Sequence, residues 1–349
     1  MSKVVVGMSG GVDSSASAAL LLEMGYEVIG VTMKLWDGVQ PDGGCCSLSA
    51  VDDARAVANK LKIPYYVLNF TDDFHKYVVN NFIDEYTHGR TPNPCIMCNK
   101  HLKFDAMLHK ASEIGADYVA TGHYARVEKQ GNRYLLKRSA DPKKDQTYFL
   151  YTMTQYQLSK TIFPLYGVTK DKTRKIAENL GLSVAKKPDS QEICFVPDGD
   201  YASFIRERAG ESAPGDFVTA DGTVVGRHKG IINYTIGQRK GLGIALNKPV
   251  YVTDIDTKTN RVTLGDNADL FTDTLYASNI NYIAFDKPEG SFRCTAKVRY
   301  SAFDAPCTGY PSENGLKAVF DEPQRAVTPG QAFVMYDNDT VLGGGIIDG

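Results

Sequence analysis

The stretch Gly7, Met8, Ser9, Gly10, Gly11, Val12, Asp13 and Ser14 restricts the fold of this chain more than any other. It follows the apolar run Val4-Val5-Val6, which predicts a buried strand, and precedes Ser15-Ala-Ser-Ala-Ala-Leu-Leu-Leu22, which predicts a helix. A glycine-rich turn between strand and helix lets the backbone come close to an anion. It also aims unpaired amides and the positive end of the helix dipole at that anion. The stretch therefore predicts a phosphate cradle. It lacks the Gly-Lys-Ser/Thr end of a Walker A loop and the G-x-G-x-x-G spacing of a dinucleotide site.

The pattern continues as strand and helix in alternation. Val28–Met33 reads as a second strand and Tyr65–Phe70 as a third. Between them Ser49 is placed to cap a helix through Leu61, with Val51, Ala54, Val57, Ala58 and Leu61 at helical spacing. His101–Ile114 reads as a helix and Tyr118–Ala120 as a fourth strand. Such alternation implies a parallel sheet covered on both faces, with ligands beyond the carboxyl ends of its strands. The Ser9–Ser14 loop, Met33, Gly122 and His123 fall at that edge. Trp36–Leu48, His88–Asn99 and Lys186–Asp198 read as long loops, a length that usually marks function. After Asp198 the character changes. Tyr201 to Tyr276 is mixed, while Phe292–Tyr300 alternates well and Leu316–Phe320 and Ala332–Tyr336 read as further strands of a small antiparallel β-barrel. The fold class is thus α/β with a parallel sheet, a small central domain and a C-terminal barrel, divided as 1–200, 201–275 and 276–349.

At 349 residues the chain is too long for one ordinary core. Its 43% hydrophobic and 23% charged content is that of a globular protein, and no apolar run is long enough to span a bilayer. The N-terminus runs straight into the first strand, which reads as no signal peptide. Seven dispersed cysteines, an odd count, speak against a secreted disulfide framework and for a reducing, cytoplasmic setting. A net charge of −2 does not announce a nucleic-acid partner, so local clusters must carry that reading.

Cys95 and Cys98 form a lone C-x-x-C, which reads equally as half of a metal site or as a reactive pair. No second C-x-x-C and no following H-x₃₋₅-H supplies the rest of a zinc site. Asn99–Phe104 reads as a helix start, and a helix N-terminus beside cations favours thiolate at Cys98. Cys194, beside Ile193 and Phe195, reads as a small buried hydrophobe or, given the polar run before it, as a second reactive thiol. Adjacent Cys45 and Cys46 read as loop residues without a role, and Cys294 and Cys307 as packing residues.

Gly7–Ser14 matches the Ser-Gly-Gly-x-Asp-Ser pattern of the PP-loop ATP pyrophosphatases, which cut ATP between its α and β phosphates. Arg90–Lys100, Gly115–Tyr124, Lys144–Leu150, Asp189–Phe195 and Pro329–Gln331 follow in one order. Together these stretches resemble the bacterial tRNA-specific 2-thiouridylases over essentially the whole chain. The resemblance implies an enzyme that replaces the 2-oxygen of a wobble uridine with sulfur after adenylating it. It implies ATP at Gly7–Ser14, Met33 and Gly122, and Mg²⁺ helped by Asp13. It implies Cys194 as persulfide carrier, loaded by a sulfur-relay donor protein, and Cys98 as the nucleophile that completes transfer, leaving a Cys98–Cys194 disulfide. The target base would meet Asn93, Pro94 and Cys95. His123, Lys144, Asp145, Gln146, Arg299, Tyr300 and Gln331 would contact the tRNA.

In some relatives an aspartate proposed as an acid–base group stands where this chain has Cys95, so that role stays open here beside pocket lining. Cys95, Cys98 and Cys194 read alternatively as ligands of an iron–sulfur cluster. Persulfide chemistry is the preferred reading, because a lone C-x-x-C plus a distant cysteine is a weak cluster pattern. Cations crowd Arg126, Lys129, Arg133, Lys137, Arg138, Lys143 and Lys144, and recur at Arg227–Lys229, Arg239-Lys240 and in the stripe Arg293, Lys297, Arg299. They read as phosphate contacts to a single-stranded tRNA loop whose base can be splayed out. Two other functions fit parts of the pattern: a PP-loop enzyme that activates a carbonyl for nitrogen attack, and a metal-stapled, nucleotide-dependent RNA-binding module.

Overall fold

Val4, Val5 and Val6 are almost wholly shielded from solvent in the middle of the first strand. Each such side chain contributes about 1.5–3 kcal/mol relative to exposure, and together they fix that strand at the centre of a sheet. The structure, a computed structural model, describes residues 1–36, 48–188, 193–244 and 248–348. Cys45, Cys46 and the 189–192 part of the Asp189–Phe195 motif lie outside the described residues.

The strands are β1 (Lys3–Gly7), β2 (Glu27–Lys34), β3 (Tyr65–Asn69), β4 (Tyr118–Ala120) and, after a hairpin of β5 (Ala125–Gln130) and β6 (Arg133–Arg138), β7 (Thr161–Ile162). The sheet order is β3-β2-β1-β4-β7, with every pairing parallel. The helices are α1 (Val12–Glu23), α2 (Leu48–Leu61), α3 (Thr71–Phe74), α4 (Asn80–Thr87), α5 (Pro94–Cys98), α6 (Met107–Glu113), α7 (Gln155–Ser159), α8 (Lys170–Asn179) and α9 (Tyr201–Ala209). His75–Val79 and Asn99–Ala106 are wound in the wider π form, so α3 runs into α4 and α5 into α6. Small residues let α1 lie deep in the unit: Ser14, Ser15, Ala16, Ser17, Ala18 and Ala19 are all buried.

Three expectations need correction. The helix expected from Ser49 begins at Leu48, so Ser49 lies in its first turn and is not the cap. The loop expected over His88–Asn99 ends in a helix at Pro94, so Cys95 and Cys98 sit on α5 and not ahead of a helix starting at Asn99. The sheet is not covered evenly either. In β3, an edge strand, Tyr66 and Val67 are exposed.

The remaining strands are β8 (Gly215–Thr219), β9 (Val224–His228), β10 (Tyr251–Asp256), β11 (Arg261–Gly265), β12 (Phe271–Tyr282), β13 (Phe292–Lys297), β14 (Ala305–Pro311), β15 (Leu316–Arg325), β16 (Ala332–Asp337) and β17 (Thr340–Ile347). A four-stranded sheet of order β10-β11-β8-β9 makes the central domain. The antiparallel run β12-β15-β14-β13-β16-β17 closes through β12–β17 into the C-terminal barrel. Leu275, Ala296, Cys307, Ala318, Phe333 and Met335 are among the residues that fill it. By contacts, residues 1–78, 95–199 and 339–341 form one compact unit and residues 79–94, 200–338 and 342–349 a second. No helix among the described residues is long and apolar enough to cross a membrane.

Candidate nucleotide and thiol site

In the first unit strand order reverses between β1 and β4, which is where ligands bind in open α/β sheets. The glycine-rich loop leaves β1 at this point. It is anchored to β2 by Met8 N–H donating to Val31 O at 2.8 Å and by Thr32 Oγ1 donating to Met8 O at 2.6 Å. Ser9 N–H donates to Ser14 Oγ at 3.2 Å, closing the loop on the first turn of α1. Two glycines are sterically required. Gly10 has φ of +66°, and a Cβ there would run into the Ala50 carbonyl of α2. A Cβ on Gly122, just past β4, would lie 2.8 Å from Ser14 N and 2.9 Å from Asp13 C. The backbone after β4 therefore rests directly on the N-terminus of α1.

Asp13 is held from two sides. Lys170 Nζ donates to its two carboxylate oxygens at 2.8 and 2.7 Å, and Tyr124 Oη donates to Oδ1 at 2.9 Å. Tyr124 is in turn fixed by its backbone N–H donating to Gln146 Oε1 at 3.0 Å. Lys170 is buried, and its backbone N–H donates to Asp141 Oδ2 at 3.0 Å. Sequence reasoning missed Lys170, although a signal existed. It is the first residue of α8, after the N-cap Thr169. A cation there opposes the helix dipole and calls for an anionic partner. The ion pair stands where Mg²⁺ was expected. Magnesium is usually held by one or two carboxylates plus phosphate oxygens. Asp13 is a carboxylate of the kind that pattern uses, and in this structure both its oxygens are bonded to Lys170.

Cys95 is exposed and Cys98 and Cys194 are half-buried, and none of the three is in a disulfide. All three belong to the first unit. Next to Cys98, Asn99 donates through Nδ2 to Phe149 O at 3.0 Å, which ties the cysteine helix to the Lys144–Leu150 motif. Next to Cys194, the buried Phe195 meets Phe74 edge-on at 5.6 Å. Among the described residues no group of three His, Cys, Asp or Glu side chains is gathered to hold a metal ion.

Residues 2–198 match the model for a tRNA methyl transferase HUP domain, 202–266 that for a tRNA methyl transferase PRC-barrel domain and 272–347 that for an aminomethyltransferase beta-barrel domain. The tRNA-specific 2-thiouridylase MnmA of Acetivibrio thermocellus is 58% identical over 99% of this chain and 99% of its own. That of Clostridioides difficile strain 630 is 56% identical over 99% of this chain and 98% of its own. This chain belongs to the tRNA-specific 2-thiouridylase family. Among solved structures, a 4-thiouridine synthetase–RNA complex with bound ATP covers 59% of this chain and 50% of its own at 18% identity, with a TM-score of 0.38. That likeness is too remote to bear on activity.

Several residues for which the 2-thiouridylase resemblance implies RNA contact also carry internal bonds. Asp145 is buried and accepts from Thr147 Oγ1 at 2.7 Å. Buried His123 shares a 2.7 Å hydrogen bond between Nδ1 and Thr121 Oγ1. Burial first, and the Lys103 ammonium second, push its ring well below the usual imidazole range, so it is neutral at pH 7. Lys143 is exposed and Lys144 half-buried. In the hairpin, Arg126 pairs with Glu128 at 2.7 Å.

In the second unit, Gln331 Nε2 donates to Thr91 O at 2.8 Å, bracing the approach to α5. Arg299 Nη1 donates to Arg325 O at 2.9 Å, while Tyr300 is exposed. Arg293, expected as a phosphate contact, forks onto both carboxylate oxygens of Asp321 at 2.7 Å.

Proposed function

We propose that this chain is an ATP-dependent sulfurtransferase that converts the wobble uridine of certain tRNAs to 2-thiouridine. The observation that carries this reading is a glycine-rich loop at the switch point of a parallel sheet, in one compact unit with Cys98 and Cys194. Membership of the 2-thiouridylase family over nearly the whole chain supports it. A uracil carbonyl oxygen is a poor leaving group. Attack of the uridine 2-oxygen on the α-phosphate of ATP releases pyrophosphate and turns that oxygen into AMP, which leaves well. The loop amides and the dipole of α1 hold the phosphates, with Lys170 available to them once it parts from Asp13. Bound Mg²⁺, held by Asp13, would offset phosphate charge.

The sulfur step uses both thiols. The terminal sulfur of a Cys194 persulfide attacks C2 and AMP departs. Cys98 thiolate then attacks Cys194 Sγ, the S–S bond to the transferred sulfur breaks, and that sulfur keeps the electron pair as the 2-thio group. A Cys98–Cys194 disulfide remains, and a thiol reductant resets it. A persulfide donor protein supplies the next sulfur. Asn93, Pro94 and Cys95 line the target base, and His123, Lys144–Gln146, Arg299, Tyr300 and Gln331 contact the tRNA. The same reading divides the chain into a catalytic domain 1–200, a linking domain 201–275 and a tRNA-contacting barrel 276–349, working in the cytoplasm.

The test is nucleoside mass spectrometry of tRNA incubated with the protein, ATP, Mg²⁺ and a persulfide donor, alongside tRNA from cells lacking it. Wobble 2-thiouridine is expected in the first and missing from the second. No 2-thiouridine in the complete reaction, with the wobble base unchanged in the cells, overturns the reading.

A further inference from the structure

Lys187 touches the nucleotide loop from an unexpected direction. Its Nζ donates to the carbonyl oxygen of Gly10 at 3.1 Å and to Asp53 Oδ2 on α2 at 2.8 Å. The Lys187 backbone is fixed as well: Arg174 Nη1 on α8 donates to Ala185 O at 3.1 Å and Lys187 O at 3.0 Å. The side chain is thus held at both ends, its root by α8 and its head by Asp53.

What it grips is one peptide plane. A trans peptide is planar, with its carbonyl and amide hydrogen pointing in opposite directions. Holding the Gly10 carbonyl toward Lys187 therefore turns the Gly11 N–H away from it. Among the described residues no acceptor is paired with the backbone N–H of Gly10 or Gly11. Glycine stands on both sides of this plane, so side-chain sterics do little to stop it from rotating. In the rotated state the carbonyl oxygen, a partial negative charge, would face the bound phosphates in place of an amide.

We propose that Lys187 is a positioning residue that locks the Gly10–Gly11 peptide with its amide toward the polyphosphate of ATP. This rests on reading the loop as the nucleotide site and adds the residue that sets its polarity. Lys187 also begins the run that leads to Cys194, so the lock joins the phosphate loop to the base of the thiol-bearing segment.

The discriminating measurement compares a polyphosphate ligand with one that lacks it. Binding of a non-hydrolysable ATP analogue and of AMP is measured by calorimetry on the full-length protein, for wild type, Lys187→Met and Lys187→Arg. A charge-assisted hydrogen bond is lost in Lys187→Met, so affinity for the ATP analogue is expected to fall about ten-fold or more. AMP affinity should stay within about two-fold, because it does not need the Gly11 amide. Lys187→Arg, which keeps a cationic donor, should recover most of the loss. Unchanged ATP-analogue affinity in Lys187→Met overturns the proposal. So does an equal fall for analogue and AMP, which would mark general damage to the site. Should Lys187→Met not fold, Lys187→Gln is judged by the same criteria. A wild-type protein that binds no ATP analogue would overturn the nucleotide reading itself, and the lock with it.

Discussion

Gly122→Ala adds one carbon and should be costly. The added Cβ would sit 2.8 Å from Ser14 N, 2.9 Å from Asp13 C and 3.0 Å from Asp13 Cβ. The first two are backbone atoms of α1 that no rotamer change can move, and the third is bound rigidly to that backbone. Relief to ordinary contact needs a separation of roughly half an ångström between the end of β4 and the start of α1. Overpacking of this kind costs about 1–3 kcal/mol. For a unit of this size that lowers Tm by about 2–12 °C. The displaced turn also carries Asp13 and its bonds from Lys170 and Tyr124, and misplacement of about 1 Å costs about a hundred-fold in rate. A half-sized shift should therefore reduce ATP-dependent thiolation by about ten-fold. The assay is calorimetric melting of wild type and variant beside steady-state rates at varied ATP. A variant with wild-type Tm and wild-type dependence on ATP would refute the close-contact reasoning.

Four further outcomes are expected. Cys98→Ser and Cys194→Ser should each abolish 2-thiouridine formation with Tm nearly unchanged, because a hydroxyl cannot carry or relay a persulfide; near-normal thiolation by either rules out the two-thiol scheme. Replacing Lys143 and Lys144 with Ala should weaken tRNA binding, each lost phosphate contact reducing the slope of log K against log[salt] by about 0.7–0.9; an unchanged slope assigns both to a solvated face. Cys95→Ala should keep substantial thiolation activity if that exposed thiol only lines the base pocket; loss of all activity would give Cys95 a chemical role. His123 is neutral in the fold, so the unfolded chain binds the extra proton below its ordinary pKa of about 6.5. Stability should accordingly fall as pH drops below about 6.5 and level off above it. Denaturant unfolding at pH 5.5 and 7.0 checks this, and a His123→Gln variant with the same pH dependence as wild type would exclude His123 as its source.

What could be read from the sequence was local. The strand, glycine loop and helix of residues 3–23 are contiguous, and valine burial and glycine geometry leave little choice there. The barrel strand β13 announces itself by alternation, and β16 by an unbroken apolar run that is buried throughout. The cysteine helix was misjudged because Thr91-Pro-Asn-Pro94 reads as a breaker, yet proline is at home in the first turn of a helix, and Pro94 opens α5. Position at the start of α8 marks Lys170 as a cation in need of an anion, but its partner is out of reach of the sequence. Lys170 lies 157 residues from Asp13, and no local period joins them. Lys187 and Gly10 are 177 residues apart and meet only because α8 and the turn after it fold back over α1 and α2. Arg293 pairs with Asp321, a partner on another strand that no local pattern joins to it. Charge in a sequence shows supply, while only pairing shows what is left for a ligand.

The chain's passage out of the first unit at residue 79 and back at residue 95 has a consequence for its synthesis. Phe82 and Tyr86, both buried in the finished protein, pack on Phe204 and Tyr201. On a ribosome adding about 5–20 residues per second, those partners emerge roughly 6–24 s after the residues they cover. For that interval α4 carries an uncovered aromatic face immediately ahead of the cysteine helix. A fragment cut at residue 200 would keep that face open permanently. The insertion that carries α4 is therefore open to non-native contacts until translation has passed α9.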